Sequence, residues 1–198
     1  HQAVNTGFGY PYETLLYKYN GTLFAKEVYS DTVWSFTENK IFTPHLIIES
    51  GNRKITVKDR EILSPQELTK KYLSPSKLFE FSDYIYYEFQ DDHQFDNGIS
   101  FKTYGLLGST KNGKSKIISG ETGFVNDLDG GPSIKPVAVK NDSVLIALVE
   151  AIDLKKYVNS EDFINSVPKH PDKKKELEKL ANNLKETDNP ILVLVKLK

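Results

Sequence analysis

The chain has 198 residues, of which 38% are hydrophobic, and this is enough for one domain with a buried core. Its formal net charge is −1 and its charges are interspersed, so it lacks the basic surface of proteins that bind nucleic acid or anionic membranes. It contains no cysteine, which excludes disulfide bonds and thiolate sites, and no apolar run approaches the ~20 residues of a membrane span.

The ends of the sequence bear on its origin. The chain begins at His1 and contains no methionine, so the initiator residue lies elsewhere. No signal peptide is visible. We therefore expect a mature or truncated product, or a portion of a longer polypeptide.

A first set of four strands is predicted over residues 13–49. Its short apolar and aromatic segments alternate with the period of two that half-buried strands show. Asn20-Gly21 predicts a type I′ hairpin turn, because both central residues of that turn need positive φ. Pro44 removes a backbone donor from the fourth segment and predicts an edge strand there. The set therefore reads as one antiparallel meander.

A helical insertion over 64–73 and a second set of strands over 77–119 follow. Ser64 and Glu67 form a capping-box pattern, and Pro65 suits the first helical position. The second set again contains four strands, with Asn112-Gly113 as one of its turns. Its polar stretch 91–98 is predicted to be a solvated hairpin loop.

The third set, over residues 122–198, is predicted to hold three strands, two helices and a fourth strand at 191–197. Ser160 is expected to cap the first helix, and Pro171 to open the second. Helices are thus expected only at about 64–73 and 159–187. The apolar stripe of the last helix is expected to pack on its own sheet as a brace, with partner docking as the alternative. That stripe comprises Leu177, Leu180, Ala181 and Leu184, and the residues expected in water are Lys174, Glu178, Lys179 and Lys185.

Successive four-stranded meanders are typical of β-propeller blades. Four segments occur here in a fixed order: SDTVW at 30–34, PHLII at 44–48, GFVNDLDGG at 123–131 and DNPILVLVKLK at 188–198. Together they resemble the C-terminal half of the six-bladed β-propeller proteins abundant in Bacteroidetes, which are largely uncharacterised. No single motif carries the resemblance; the ordered set does.

The resemblance implies an all-β, propeller-like fold with three four-stranded antiparallel blades, at about 13–49, 77–119 and 122–198 of a single partial domain. Since relatives are typically exported or lipid-anchored, it also implies a periplasmic, extracellular or outer-membrane-associated location. Three blades do not close a ring and would expose sheet edges. Closure therefore requires N-terminal blades that this sequence does not show, or another chain.

Two polar clusters are candidate sites. Asp127 and Asp129 lie in the glycine-rich segment 126–131, and their oxygens would suit Ca²⁺. The segment lacks the other ligands of an EF-hand, so a tight turn without bound metal is predicted, and no cofactor is expected. Asp91 and His93 belong to the densest polar cluster, which also contains Asp92, Asp96 and Asn97, but one histidine is poor spacing for a metal site.

Aromatic residues supply the remaining candidates. Tyr86 and Tyr87, together with Tyr10 and Tyr12, are expected to be exposed and able to stack on a sugar or a partner side chain. His45 is expected to be a partly buried histidine with a hydrogen-bond partner.

No catalytic constellation stands out, so no catalytic residue is assigned. The sequence favours a non-catalytic binding or scaffold module that recognises a protein, peptide or glycan through Tyr86, Tyr87, Asp91 and His93. The alternative is a propeller hydrolase or lyase with a metal in the central channel. This alternative needs polar residues that converge from several blades, and in this chain only Asp127, Asp129, Asp91 and His93 could contribute.

Overall fold

Three antiparallel sheets make up most of the computed structural model, which describes residues 13–38, 41–95, 98–120 and 123–196. The chain divides into two compact units at Ile117, within the last strand of the second sheet. The expected antiparallel, mainly β architecture is thereby confirmed. No described helix is long and apolar enough to cross a bilayer.

The first sheet has the order β1-β2-β3-β4. Asn20 and Gly21 take φ of 46° and 77° between β1 and β2, which confirms the predicted type I′ turn. Pro44 lies in β4, at the edge of this sheet, also as predicted. The strands are β1 (Thr14–Tyr19), β2 (Thr22–Glu27), β3 (Thr32–Phe36) and β4 (Phe42–Ile47).

The insertion after β4 holds two short helices and a 3₁₀ turn at Gly51–Arg53. Helix α2 (Pro65–Lys71) begins with the predicted capping box of Ser64 and Glu67. Helix α1 (Val57–Ile62) was not expected; it also starts with a capping box, but it buries no residue, so no apolar stripe marks it in the sequence. Leu68 packs in a small core that the insertion forms with the first sheet, alongside Val28, Ile55 and Tyr72.

Replacing Ser64 by alanine is expected to lower the free energy of unfolding by about 1 kcal/mol, because the Glu67 amide loses its side-chain acceptor. Urea unfolding would measure the loss. Thr69 provides the matched control: its hydroxyl donates only to carbonyls of its own helix, so Thr69→Ala should be near neutral. Equal losses in both variants would contradict the capping argument.

The second sheet has the order β5-β6-β7-β8. Strand β6 continues through Asp91, Asp92 and His93, so the expected solvated loop at 91–98 is wrong over these residues. A bulge between Asp91 and Gln94, where Asp92 takes φ of 55°, lets the strand keep its pairing past the polar residues. The strands are β5 (Ser74–Phe81), β6 (Tyr84–Gln94), β7 (Ser100–Ser109) and β8 (Ser115–Ser119).

The third sheet has three strands in the described part of the chain, not the four expected. Its order is β11-β10-β9, with β9 (Pro136–Lys140), β10 (Val144–Val149) and β11 (Ile191–Lys196). The segment expected to be a further strand makes one isolated bridge, Phe124 with Ile134. Pro132 and Pro136 cannot donate to a ladder, which accounts for the short pairing there.

Three helices belong to the second unit: α3 (Ala151–Val158), α4 (Glu161–Asn165) and α5 (Pro171–Asn183). Ser160 caps α4 and Pro171 opens α5, as predicted. Helix α3 lies outside the expected helical range 159–187, because the chain turns into a helix directly after β10. Its Leu154 and Val158 form a core with Phe163 of α4 and Ala181 of α5.

The apolar stripe of α5 is narrower than expected. Leu177 and Leu184 pack against this core, but Leu180 is 43% exposed, so its predicted burial is wrong. Lys174 was expected in water; instead its ammonium donates to the carbonyls of Ile164 and Ser166. The stripe thus braces its own unit through three residues and leaves Leu180 on the surface.

Each unit also presents an apolar sheet face to solvent. On the first sheet an open groove of about 580 Å³ lies among Leu16, Leu23, Trp34, Phe36 and Phe42. The third sheet exposes three leucines on one face, since directly paired residues share a face. They are Leu148, Leu192 and Leu194.

Candidate functional site

A β-bulge places His45 at the candidate site. In the pairing of β3 with β4, Val33 pairs with Leu46 and Trp34 with Pro44, which leaves His45 as the extra residue. Bulges re-aim side chains away from the regular alternation. The imidazole of His45 therefore reaches the ring of Phe24, at a centroid distance of 4.4 Å, and bonds through Nε2 to Oε1 of Glu80 at 2.6 Å.

Glu80 of β5 is the centre of this cluster. It is 3% exposed and lies between Phe79 and Phe81, so its carboxylate requires hydrogen-bond partners. The hydroxyl of Tyr17 donates to the same Oε1 at 2.5 Å. Burial, and then the bond to Glu80 and its charge, raise the pKa of Tyr17 far above its usual value, so the phenol remains a donor. Glu80 thus joins β1, β4 and β5, and through them the first and second sheets.

A cleft of about 590 Å³ opens beside His45, within the first unit. This volume lies in the range of roughly 300–1,000 Å³ that small-ligand pockets occupy. One wall is the continuous segment 45–49, and the other consists of apolar, small and hydroxyl-bearing residues. The second wall comprises Ile85, Leu106, Gly108, Ser109, Thr110, Gly113 and Ser115.

The cluster and the cleft together define what the site can do. The side chain of His45 is 32% exposed, and no described residue bonds its Nδ1. Because Nε2 is held by Glu80, the ring is fixed in orientation and Nδ1 is available to a bound molecule. The site therefore offers one oriented imidazole, hydroxyls and apolar surface, which suits a ligand that has both polar groups and an apolar face.

The polar cluster at 91–93 is tied to the protein itself. Asp91 pairs with the guanidinium of Arg53, and its Oδ1 also accepts the amide of Asp92 at 2.7 Å. His93 is 6% exposed and packs on the rings of Phe95 and Phe101. Burial lowers the pKa of His93, against smaller opposing effects of a backbone bond and the two aspartates. Asp96 and Asn97 lie outside the described residues.

The expected exposure of Tyr86 and Tyr87 is wrong, since they are 3% and 2% exposed. They occupy neighbouring positions on β6, and consecutive residues of this strand are buried, so both faces of β6 are covered at these positions. The Tyr86 hydroxyl donates to Oε2 of Glu88 at 3.1 Å, and the Tyr87 ring lies 5.3 Å from the ammonium of Lys26. Burial raises the pKa of both phenols. Tyr10 and Tyr12 lie outside the described residues.

The segment 126–131 forms the predicted tight turn. Oδ1 of Asp129 accepts the amide of Gly131 at 2.9 Å and the side-chain amide of Asn126 at 2.7 Å. Asp127 pairs with Lys169 at 2.7 Å, which lowers the pKa of its carboxyl. Among the described residues no group of three histidine or acidic side chains is placed to hold a metal ion. Both aspartates thus have protein partners, and the expected absence of Ca²⁺ from this turn stays a prediction.

Sequence reasoning missed Tyr17 and Glu80. One signal was present: Glu80 stands between two phenylalanines, Phe79 and Phe81. A charge at such a position needs a buried partner. The expectation that His45 is hydrogen-bonded is confirmed, but its partner lies 35 residues away along the chain.

Comparison with known proteins extends this description. Residues 2–196 match the family described as Domain of unknown function (DUF4934). The crystal structure of a Bacteroides fragilis protein, named as one expected to be exported, matches with a TM-score of 0.54 at 14% identity. The match covers 93% of this chain and 49% of that one, so the chain spans about half the length of the solved structure. At this identity the match bears on the fold alone. No curated protein matches the chain.

Proposed function

The chain belongs to the DUF4934 family, and we propose that it is a non-catalytic binding module of the bacterial cell envelope. The observation that carries the proposal is the cleft of about 590 Å³ beside His45. Its ligand is a protein segment, a peptide or a glycan. The formal net charge of −1 does not indicate a surface for nucleic acid, and no described helix is long and apolar enough to span a membrane.

The chemistry of the cleft supports this class of ligand. Peptides and glycans both combine hydrogen-bonding groups with apolar surface. His45 offers Nδ1 from a ring that Glu80 holds in place, so less side-chain entropy is lost when a ligand binds. Ile85 and Leu106 supply the apolar part of the lining.

The names of similar proteins support the proposed envelope location. The matched Bacteroides fragilis protein is named as one expected to be exported, and the sequence resembles exported or lipid-anchored proteins. Fractionation of cells that express the full-length protein would test this. Recovery of the protein in the cytoplasmic fraction alone would overturn the assignment.

We propose further that the segments 13–49, 77–119 and 122–198 are blades of a six-bladed propeller. The exposed apolar faces of the first and third sheets support this, since each is suited to pack against another sheet, and the solved structure is twice as long. N-terminal blades or another chain would complete the ring. A structure of the full-length protein in which the groove at Leu16 and Leu23 stays open to solvent would refute this arrangement.

The binding proposal predicts the effect of altering His45. His45→Ala is expected to weaken ligand binding at least tenfold, since it removes the oriented imidazole. Glycan and peptide arrays would first identify a ligand, and titration calorimetry would then compare the variants. His170 is exposed in the second unit, so His170→Ala is the matched control and should bind normally. If His45→Ala folds and binds as tightly as the unaltered chain, the cleft is not the site.

The alternative, a metal-dependent hydrolase or lyase, has less support. It relies on carboxylates such as Asp91 and Asp127, and each of these is paired with a basic side chain, Arg53 or Lys169. Metal analysis of the purified full-length protein distinguishes the readings. One equivalent of a metal that is lost in Asp127→Asn would favour the enzyme.

A further inference from the structure

We infer that the outer edge of β4 binds an extended peptide as an added β-strand; this inference rests on the proposed binding function of the cleft. Strand addition supplies affinity through main-chain hydrogen bonds and specificity through alternate side chains. It names the ligand class, which the proposed function leaves open between peptide and glycan.

The direction of the backbone groups in β4 is fixed by its pairing with β3. The amide of Ile48 donates to the carbonyl of Asp31 at 2.9 Å, so Ile48 faces β3. In an antiparallel pair, hydrogen-bonded and non-hydrogen-bonded residues alternate. Ile47, whose partner is Thr32, is therefore a non-hydrogen-bonded residue. Its N–H and C=O point away from β3, at the outer edge of the sheet.

That outer edge forms a wall of the cleft. Five consecutive residues, 45–49, line it. Successive side chains of a strand point to opposite faces, so a face would contribute only every second residue. An unbroken run that includes the last three residues of β4 means that the edge itself borders the space. On the other side Gly108, Gly113 and Ser109 are small and leave room for the main chain of a ligand.

The free edge is short and has a defined start. Pro44 has no amide hydrogen, and the bulge at His45 interrupts regular pairing; both are devices that prevent uncontrolled pairing at sheet edges. Beyond them Leu46 and Ile47 complete β4, and Ile47 presents its N–H and C=O outward. A donor and an acceptor on one extended residue match the paired groups of another strand, whereas the hydroxyls of a glycan have no such arrangement.

The side chains of this segment indicate the kind of peptide. Ile47, the last residue of β4, is exposed, and Glu49, two residues further along the chain, is exposed as well. A complementary peptide would place an apolar residue against Ile47 and a lysine or arginine near Glu49. The ligand class is thus an extended peptide that carries an apolar residue and, close to it, a lysine or arginine.

The test uses a display library of random decapeptides and two variants of one position. Ile47→Pro removes the outward amide without breaking a bond to β3, and Ile47→Ala keeps that amide while it removes the same side chain. We expect selected peptides to bind Ile47→Pro at least tenfold more weakly than the unaltered chain, and Ile47→Ala less than threefold more weakly. Circular dichroism would confirm that both variants fold.

A second arm does not depend on the folding of any variant. The selected peptide is synthesised with N-methyl groups on alternate residues, in the two possible phases. One phase should abolish binding to the unaltered chain and the other should leave it nearly intact. Strand addition is overturned if both methylated peptides bind, or if the library yields no peptide that binds at the cleft. A third outcome separates the two proposals. If His45→Ala weakens peptide binding, but Ile47→Pro binds normally and both methylated peptides bind the unaltered chain, the proposed cleft function stands and only strand addition fails.

Discussion

Replacing Leu154 by alanine is expected to lower the free energy of unfolding of the second unit by about 2–5 kcal/mol. Leu154 is 1% exposed and lies in the core that α3 forms with Phe163 and Ala181. The truncation removes buried apolar contacts and leaves a cavity that the surrounding helices can fill only in part. Urea unfolding followed by circular dichroism would measure the loss as a shift of the midpoint at constant slope.

Leu180 supplies the matched control, because it is the same residue type on the adjacent helix α5 but is 43% exposed. Leu180→Ala should change the unfolding free energy by less than about 1 kcal/mol, since little apolar surface is lost and alanine favours the helix. Equal losses for the two variants would mean that Leu180 packs as the sequence suggested. An unchanged stability with loss of a partner would instead make this part of α5 a docking surface.

Local signals in the sequence account for the parts of the fold that were predicted well. The turn at Asn20-Gly21 and the cap at Ser64 depend on residues within four positions of one another, so their outcome is set by short-range geometry. The edge position of Pro44 follows in the same way from its missing amide hydrogen.

The errors arise where tertiary packing or chain-breaking residues decide the structure. Helix α1 buries nothing, so periodicity could not reveal it. In α3 the buried residues Ala151, Leu154 and Val158 have helical spacing in the sequence. The helix follows strand β10 directly, so the change from strand to helical periodicity was not recognised. Tyr86 and Tyr87 were expected to be exposed as residues that could stack on a ligand, whereas consecutive residues of β6 are buried, so both faces of this strand are covered.

The candidate site depends on contacts between residues that are far apart in the sequence. Tyr17 and Glu80 are 63 residues apart, and their contact depends on how the first sheet lies against the second. The bulge that turns His45 towards Glu80 shows only in the pairing register of β3 and β4. The sequence could therefore suggest that His45 has a partner and that Glu80 needs one, but it could not join the two.

A second large effect is expected in the pH dependence of stability, and it arises from Lys26. This lysine is 2% exposed, and its ammonium donates to the carbonyl of Ser30 at 2.8 Å. Burial lowers the pKa of Lys26 from 10.5 to about 8, while the nearby Asp31 opposes that shift in part. Between these two pKa values the unfolded chain binds a proton that the folded chain has released.

Because the unfolded state binds more protons in that window, the unfolding free energy should increase with pH, by about 2 kcal/mol from about pH 7 to about pH 9.5. The unfolding free energy should increase with pH only below about pH 10. Tyr17 and Tyr87 have raised pKa values in the folded state, so the folded chain keeps their protons after the unfolded phenols have ionised, and this lowers the unfolding free energy as pH rises further. Urea unfolding at a series of pH values would follow the increase. Lys26→Met keeps most of the side-chain volume without a titrating group, and it should show a nearly flat profile over the same window. A flat profile in the unaltered chain, or an equal increase in both proteins, would show that Lys26 is not the group that titrates.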